Sequence, residues 1–293
     1  MRSWFSPAVD RTSDGMSEET ESYFSKLSGI YEESGIRDRA PLAMAIVSVA
    51  FQKYPGWITD KVPVYDRLFL DLFGVGILLC GLLAAWARTS RLAVALFIAI
   101  AVIAIVPDWT STANHTWLAL WTIPVAVLFR EWWKSDLYSF YLRATLGIIM
   151  IAAFSQKILA GTYLDGSFIA LMSASSGATT ERMFSFLCSG DSTSPCVFYQ
   201  MISIFILAWQ LVVGVLLLLG LNSIIFLAIE IGFLLGAGVF ADEMNFQVLN
   251  IALLCIVFRF GMPLWLAALS IALLVTDLFT LNKLVNFVLS HAG

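Results

Sequence analysis

Long apolar runs separated by short polar loops set the pattern of this chain. The clearest runs are about Leu68–Ala87, Leu92–Val106, Thr116–Phe129, Leu142–Ile158, Phe198–Leu219, Ser223–Phe240, Phe246–Phe258 and Leu264–Leu281. A helix crosses a bilayer with about 20 apolar residues. The runs therefore predict membrane-spanning helices, the shorter ones extended by flanking Trp, Tyr and Lys. Ala40–Phe51 is apolar but short, and it reads as a first span or a half-buried segment. The fold class expected is an all-α polytopic integral membrane protein, a helical bundle of about eight or nine transmembrane helices. Residues 1–38 are polar and mixed in charge, a surface or disordered tail. The transmembrane domain covers 39–285, with an extracytoplasmic loop at 159–197, and 286–293 form a short C-terminal tail.

Composition agrees with that pattern. The 293 residues are 59% hydrophobic and 13% charged, with a mean hydropathy of +0.85. A soluble domain carries about 25% charged residues. The net charge of −4 is spread out. No basic patch marks a nucleic-acid partner; the lipid bilayer is the partner expected. No His/Cys/Asp cluster has metal spacing, so no metal is expected. A transporter would show paired broken helices, and none is evident.

Charge bias orients the chain. Arg88 and Arg91 sit in one short loop, Arg130, Lys134 and Arg143 in or beside another, and Arg259 between the last two runs. All fall on one side when the spans are counted, which the positive-inside rule makes cytoplasmic. The opposite loops carry Asp108 to Ala113, Lys157 to Val197 and Ala241 to Asn245. Cys188 and Cys196 bracket the polar stretch SGDSTSP on that outer side, where a disulfide is expected. Cys80 and Cys255 lie inside apolar runs and read as small buried hydrophobes.

Chemistry is sparse, and Lys157 is its centre. It ends an apolar helix before a Gly/Tyr/Asp/Gly turn. Either its stem snorkels and its ammonium anchors the helix at the headgroups, or it is a general base held at the edge of a dry pocket. Asn114-His115 opens another run on the same outer face, with His115 as a hydrogen-bonding or proton-transfer partner. Asp242, Glu243, Met244, Asn245 and Gln247 begin a third. Acids there also suit a helix dipole without any function. Gln210 and Glu230 lie inside predicted spans, where polar groups point to a function or to a buried hydrogen bond.

The order of these features resembles the membrane domain of vitamin K-dependent gamma-glutamyl carboxylase and its bacterial HTTM relatives. Trp86-Ala87-Arg88-Thr89-Ser90 is similar to the family's tyrosine-arginine-serine turn, and Asn114-His115-Thr116-Trp117-Leu118 to its Asn-His-Ser-Tyr-Leu. Leu142-Arg143 precedes Lys157 at the family's spacing from a leucine-arginine pair to an essential lysine. Tyr163-Leu164-Asp165-Gly166 looks like Trp-Val-x-Gly, and Phe240 to Gln247 parallels Phe-x-His-x-Met-Asn-x-Gln.

The resemblance implies an enzyme of the inner membrane that deprotonates a reduced, vitamin K-like quinone for oxygenation of the epoxidase or carboxylase kind. Lys157 would be the base and His115 its partner. Asn114, Arg143, Asp242, Glu243, Met244, Asn245, Gln247, Gln210 and Glu230 would line the pocket. Three departures matter, the first being Gln156-Lys157 where the family has an adjacent lysine pair. Asp242 or Glu243 stands where the family has histidine, and a carboxylate beside Lys157 would hold its charge. The family's large luminal domain has no counterpart, so carboxylation of a propeptide-bearing protein is not expected. The alternative reading is a non-catalytic subunit or accessory factor of a larger complex, or a maturation factor for a secreted peptide.

Overall fold

The computed structural model describes residues 25–53, 64–86, 88–105, 114–175, 188, 194–241 and 243–278. Most of the N-terminal tail and all of the C-terminal tail lie outside those residues. Among the described residues the structure is helical and has no strand. In chain order the helices are α1 (25–33), α2 (Ile36–Lys53), α3 (Val64–Ala84), α4 (Ser90–Ile105), α5 (Asn114–Thr122), α6 (Asp136–Ala160), α7 (Ser167–Ser175), α8 (Val197–Leu218), α9 (Ile224–Ala241), α10 (Met244–Val257) and α11 (Leu264–Leu278). Two of them, α6 with 25 residues and α8 with 22, are long and apolar enough to cross a membrane. At 1.5 Å per residue they are about 37 and 33 Å long. The remaining apolar helices that meet that hydropathy are shorter.

Two predicted elements come out differently. The run expected at Thr116–Phe129 is broken. Its α-helix stops at Thr122 and a 3-10 turn covers Pro124–Leu128. Pro124 has no N–H to continue the α pattern, but it fits the first turn of a new segment. The loop expected at 159–197 is not all loop either, because α7 forms within it.

The bundle is built around two buried helices, α2 and α10, which pack against each other. Every residue from Arg39 to Ala50 is buried. So are Met244 and all of Gln247–Val257. The small residues Ala40, Ala43, Ala45, Ser48 and Ala50 let neighbours approach α2 closely. Gly81 of α3 shows how closely: a Cβ there would stand 2.5 Å from Val47 Cγ2. Pro41 lies inside α2 and cannot donate to the Arg37 carbonyl. The Met262 N–H fills that vacancy at 3.0 Å, tying α2 to the chain entering α11.

The remaining helices surround this pair, and their apolar side chains face outward. Leu72, Val75, Leu79 and Leu82 form an exposed stripe on α3, and Met201, Ile204, Phe205 and Val212 do so on α8. Polar side chains go inward instead: Ser48, Thr122, Ser139, Glu230, Gln247 and Asn250 are all buried.

The basic loops meet at one end of the bundle. Arg39 is buried, donates from Nε to the Ala85 carbonyl at 2.8 Å and from Nη2 to the Ser34 carbonyl at 2.8 Å, and lies over Trp133. Arg259 pairs with Asp136, and the Tyr31 hydroxyl reaches the Met262 carbonyl at 2.8 Å. Arg39→Met would leave two carbonyls without their charged donor. The expected loss is about 2–3 kcal/mol, read as a lower thermal midpoint of the purified protein.

Candidate functional site

The opposite end of α6 carries Lys157, and the packing of α6 on α8 decides what it meets. The two helices touch at glycines. A Cβ on Gly147 would lie 3.0 Å from the Gly214 carbonyl oxygen, and one on Gly214 would lie 2.8 Å from Ile151 Cγ1. That contact fixes the antiparallel register. Gln210 is one helical turn from Gly214 toward the Lys157 end, so it stands about a turn inward of Lys157. Helical side chains lean toward their own N-terminus. On α6 that lean turns the lysine stem inward, and Nζ donates to Gln210 Oε1 at 2.9 Å.

Two more groups complete the surroundings. The Tyr163 ring lies under the ammonium, with Nζ 4.9 Å from its centroid. The ring stacks on Phe168 with centroids 4.3 Å apart. Gly166 holds the turn that delivers Tyr163. It has φ +80°, and a Cβ there would stand 2.7 Å from the Gln200 backbone nitrogen. The Gln200 side-chain amide in turn donates to the Leu164 carbonyl at 3.0 Å. Glu243 precedes α10 and acts electrostatically on both Lys157 and Tyr163. It makes no ion-pair contact with Lys157. Partial desolvation raises its carboxyl above the usual range, and Lys157 pulls it back. The Tyr163 hydroxyl is pushed well up by burial, with Glu243 adding to the effect.

Buried polar atoms flank the site, Ser203 toward the start of α8 and Gln247 one turn into α10. Ser203 shares a face of α8 with Gln210, seven positions away, and Gln247 shares a face of α10 with Glu243. Ser203 Oγ and Gln247 Oε1 are buried without a hydrogen-bond partner. Beyond them, Glu230 is buried and accepts from Trp209 Nε1 at 2.7 Å. Trp209 lies among Phe205 and Phe233. The helices α8 and α9 stay apart along their backbones, and these long side chains bridge them.

No family model matches the chain, and no curated protein or solved structure matches it either. The site is therefore read from its own residues.

Of the residues expected in one pocket, Lys157, Gln210 and Glu243 come together, with Gln247 one turn below Glu243. Met244 is buried and packs near Gly238. Asn245 turns back to accept the Phe246 N–H at 2.6 Å and does not join the site. Glu230 belongs to the neighbouring Trp209 pair. Arg143 is not part of this pocket. It lies about 21 Å along α6 from Lys157, over Phe258 at the other end of the bundle.

Asp242 and the side chains of Asn114 and His115 lie outside the described residues. The α5 backbone still bears on the expected partnership of Lys157 and His115. Tyr138 and Tyr141 donate to the Thr122 and Trp121 carbonyls, which fixes the C-terminal end of α5 at the start of α6. From there α5 rises only about 12 Å to Asn114, whereas Lys157 is about 24–28 Å further along α6. The His115 backbone thus stops short of the level of Lys157. The residues sequence reading missed are Ser203, whose type carries no signal, and Trp209, which looked like any lipid-facing aromatic.

The Cys188–Cys196 disulfide forms as expected and sits beside the N-terminus of α8. It closes a short loop. Cys188→Ser is expected to cost about 2–3 kcal/mol by the loop-entropy estimate. The checks are the thermal midpoint and the gain of one thiol reactive toward a membrane-impermeant maleimide.

Proposed function

We propose that this chain is a polytopic protein of a bacterial inner membrane whose outward-facing pocket takes a hydroxyl-bearing, quinol-like or other lipidic substrate. The inside-out distribution of side chains supports the membrane reading. Exposed apolar stripes of this extent suit lipid rather than water. In this reading the shorter apolar helices also cross the bilayer, as parts of a bundle of about eight or nine spans.

The observation that carries the pocket is the direction of Lys157. A snorkelling lysine sends its ammonium outward to the headgroups. This one turns inward to Gln210 and rests on Tyr163. The deprotonated amine in that position keeps one N–H on Gln210 and presents its lone pair to a substrate hydroxyl. The O–H bond of the quinol breaks, an N–H bond forms on Lys157, and the quinol anion remains. Gln247, one turn below Glu243, supplies an unpaired oxygen, with Oε1 accepting from a substrate hydroxyl. Gln210, rather than His115, is the orienting partner in this arrangement. The resemblance to the carboxylase membrane domain implies that the quinol anion then reacts with dioxygen.

A second reading has its own support. An amide oxygen, a ring face and a nearby carboxylate all favour a fixed ammonium. In that case the chain is a non-catalytic subunit, accessory factor or maturation factor, and Lys157 pins α6 to α8. Binding separates the two. In lipid nanodiscs, an isoprenoid naphthoquinol should quench the tryptophan fluorescence of the wild type. Gln210→Leu, which frees the amine from its orienting partner, should weaken that binding about tenfold, the upper scale of one neutral hydrogen bond. Equal quenching by both proteins would favour the structural reading.

A further inference from the structure

Arg143 differs from the other cations at its end of the bundle. Arg39 is bonded to two carbonyls, and Arg37, Lys134 and Arg259 each pair with a carboxylate. Arg88, Arg91 and Arg130 stand exposed. Arg143 is half-buried, and its Nε is enclosed without an acceptor. Its guanidinium lies over the Phe258 ring, 5.8 Å from the centroid. Nη1 is 3.4 Å from the Cβ position of Gly220, in the turn that joins α8 to α9. A guanidinium carries five N–H donors in a fixed fork, suited to two oxygens of one phosphate. Leaving a buried donor unpaired is costly, and an anionic acceptor turns that cost into a charge-assisted bond.

The surface around it is apolar. Leu218, Leu219, Leu221, Ile224 and Ile225 are exposed around the same turn. A fork for a phosphate beside a wall for hydrocarbon matches an amphiphile better than a free ion. The basic loops place this end in the cytoplasmic leaflet, where anionic lipids gather around basic groups.

We propose that Arg143 and the α8–α9 turn bind the phosphodiester of an anionic phospholipid of the cytoplasmic leaflet. The site is separate from the Lys157 pocket and rests on the membrane-spanning part of the functional reading and on the orientation that the basic loops imply. The test is native mass spectrometry of the full chain released from nanodiscs of phosphatidylcholine containing a minor fraction of phosphatidylglycerol. The wild type should retain phosphatidylglycerol preferentially, by about tenfold. Arg143→Gln should remove the preference, Arg143→Lys should keep part of it, and Arg88→Gln should leave it unchanged. If Arg143→Gln does not fold, the reduced preference of Arg143→Lys carries the test. A wild type without preference, a preference undiminished in both Arg143 variants, or glycerol phosphate in detergent competing as well as the lipid would overturn the proposal. A chain that stays monodisperse without detergent would instead sink the membrane reading itself.

Discussion

Lys157→Met is expected to lower quinol-dependent oxygen uptake by at least about 100-fold while the protein still folds. General base catalysis contributes about 10²–10⁴-fold, and methionine has the length of lysine without the amine. The structural cost should be small. The substitution removes one hydrogen bond to Gln210 and one contact with the Tyr163 ring. Each is worth about 1 kcal/mol at a half-buried site. Lys157 also sits near the end of α6, away from the glycine contact that sets the register. A thermal midpoint within a few degrees of the wild type, together with lost uptake, is the outcome expected. A large drop in the midpoint with the uptake per folded molecule retained would assign Lys157 to structure.

Gly166→Ala is expected to destabilise this end of the bundle by about 2–5 kcal/mol. Two effects add. The residue has φ +80°, where a Cβ costs about 1–2 kcal/mol. That Cβ would also stand 2.7 Å from the Gln200 backbone nitrogen and 3.0 Å from the Tyr199 carbonyl carbon. Backbone at the start of α8 cannot rotate aside as a side chain could, so overpacking adds about 1–3 kcal/mol. The turn from Gly161 to Ser167 must then lift away from α8 and carry Tyr163 with it. The variant should show a lower thermal midpoint and, through loss of the ring beneath Nζ, weaker quinol binding. Unchanged stability would mean that this turn does not rest on α8.

Much of the fold is legible in the apolar runs, because a helix that sheds polar groups over that length has few other places to go. The bounds of α8, the end of α6 and the start of α11 follow within a few residues, whereas α6 begins six residues before its apolar run, at Asp136. The break after α5 was not read, although Pro124 marks it. What the runs do not reveal is which helices are central. Ala40–Phe51 and Phe246–Phe258 look ordinary, yet α2 and α10 are the buried pair, since their small or uniformly apolar surfaces allow contact on every side. The disulfide was readable because Cys188 and Cys196 flank one polar loop.

The site is less legible. Lys157 stands out as a lone cation at the end of a span, but its partner is 53 positions away. That pairing depends on the register that Gly147 and Gly214 impose, and spacing along one helix cannot supply it. The same limit explains the grouping of Arg143 with Lys157. They share a helix and a motif, but 21 Å or so of helix lies between them. His115 was placed on the outer face by counting spans, whereas the short α5 stops well below Lys157.

The central claim is that Lys157 is a reagent and not an anchor, and Lys157→Arg tests it most directly. Arginine keeps the positive charge and the donor to Gln210, but it does not give up its proton near neutral pH. Oxygen uptake and thermal midpoint should be measured together for this variant in lipid nanodiscs. The account predicts a wild-type midpoint with uptake lost. Uptake at the wild-type level in Lys157→Arg would contradict it.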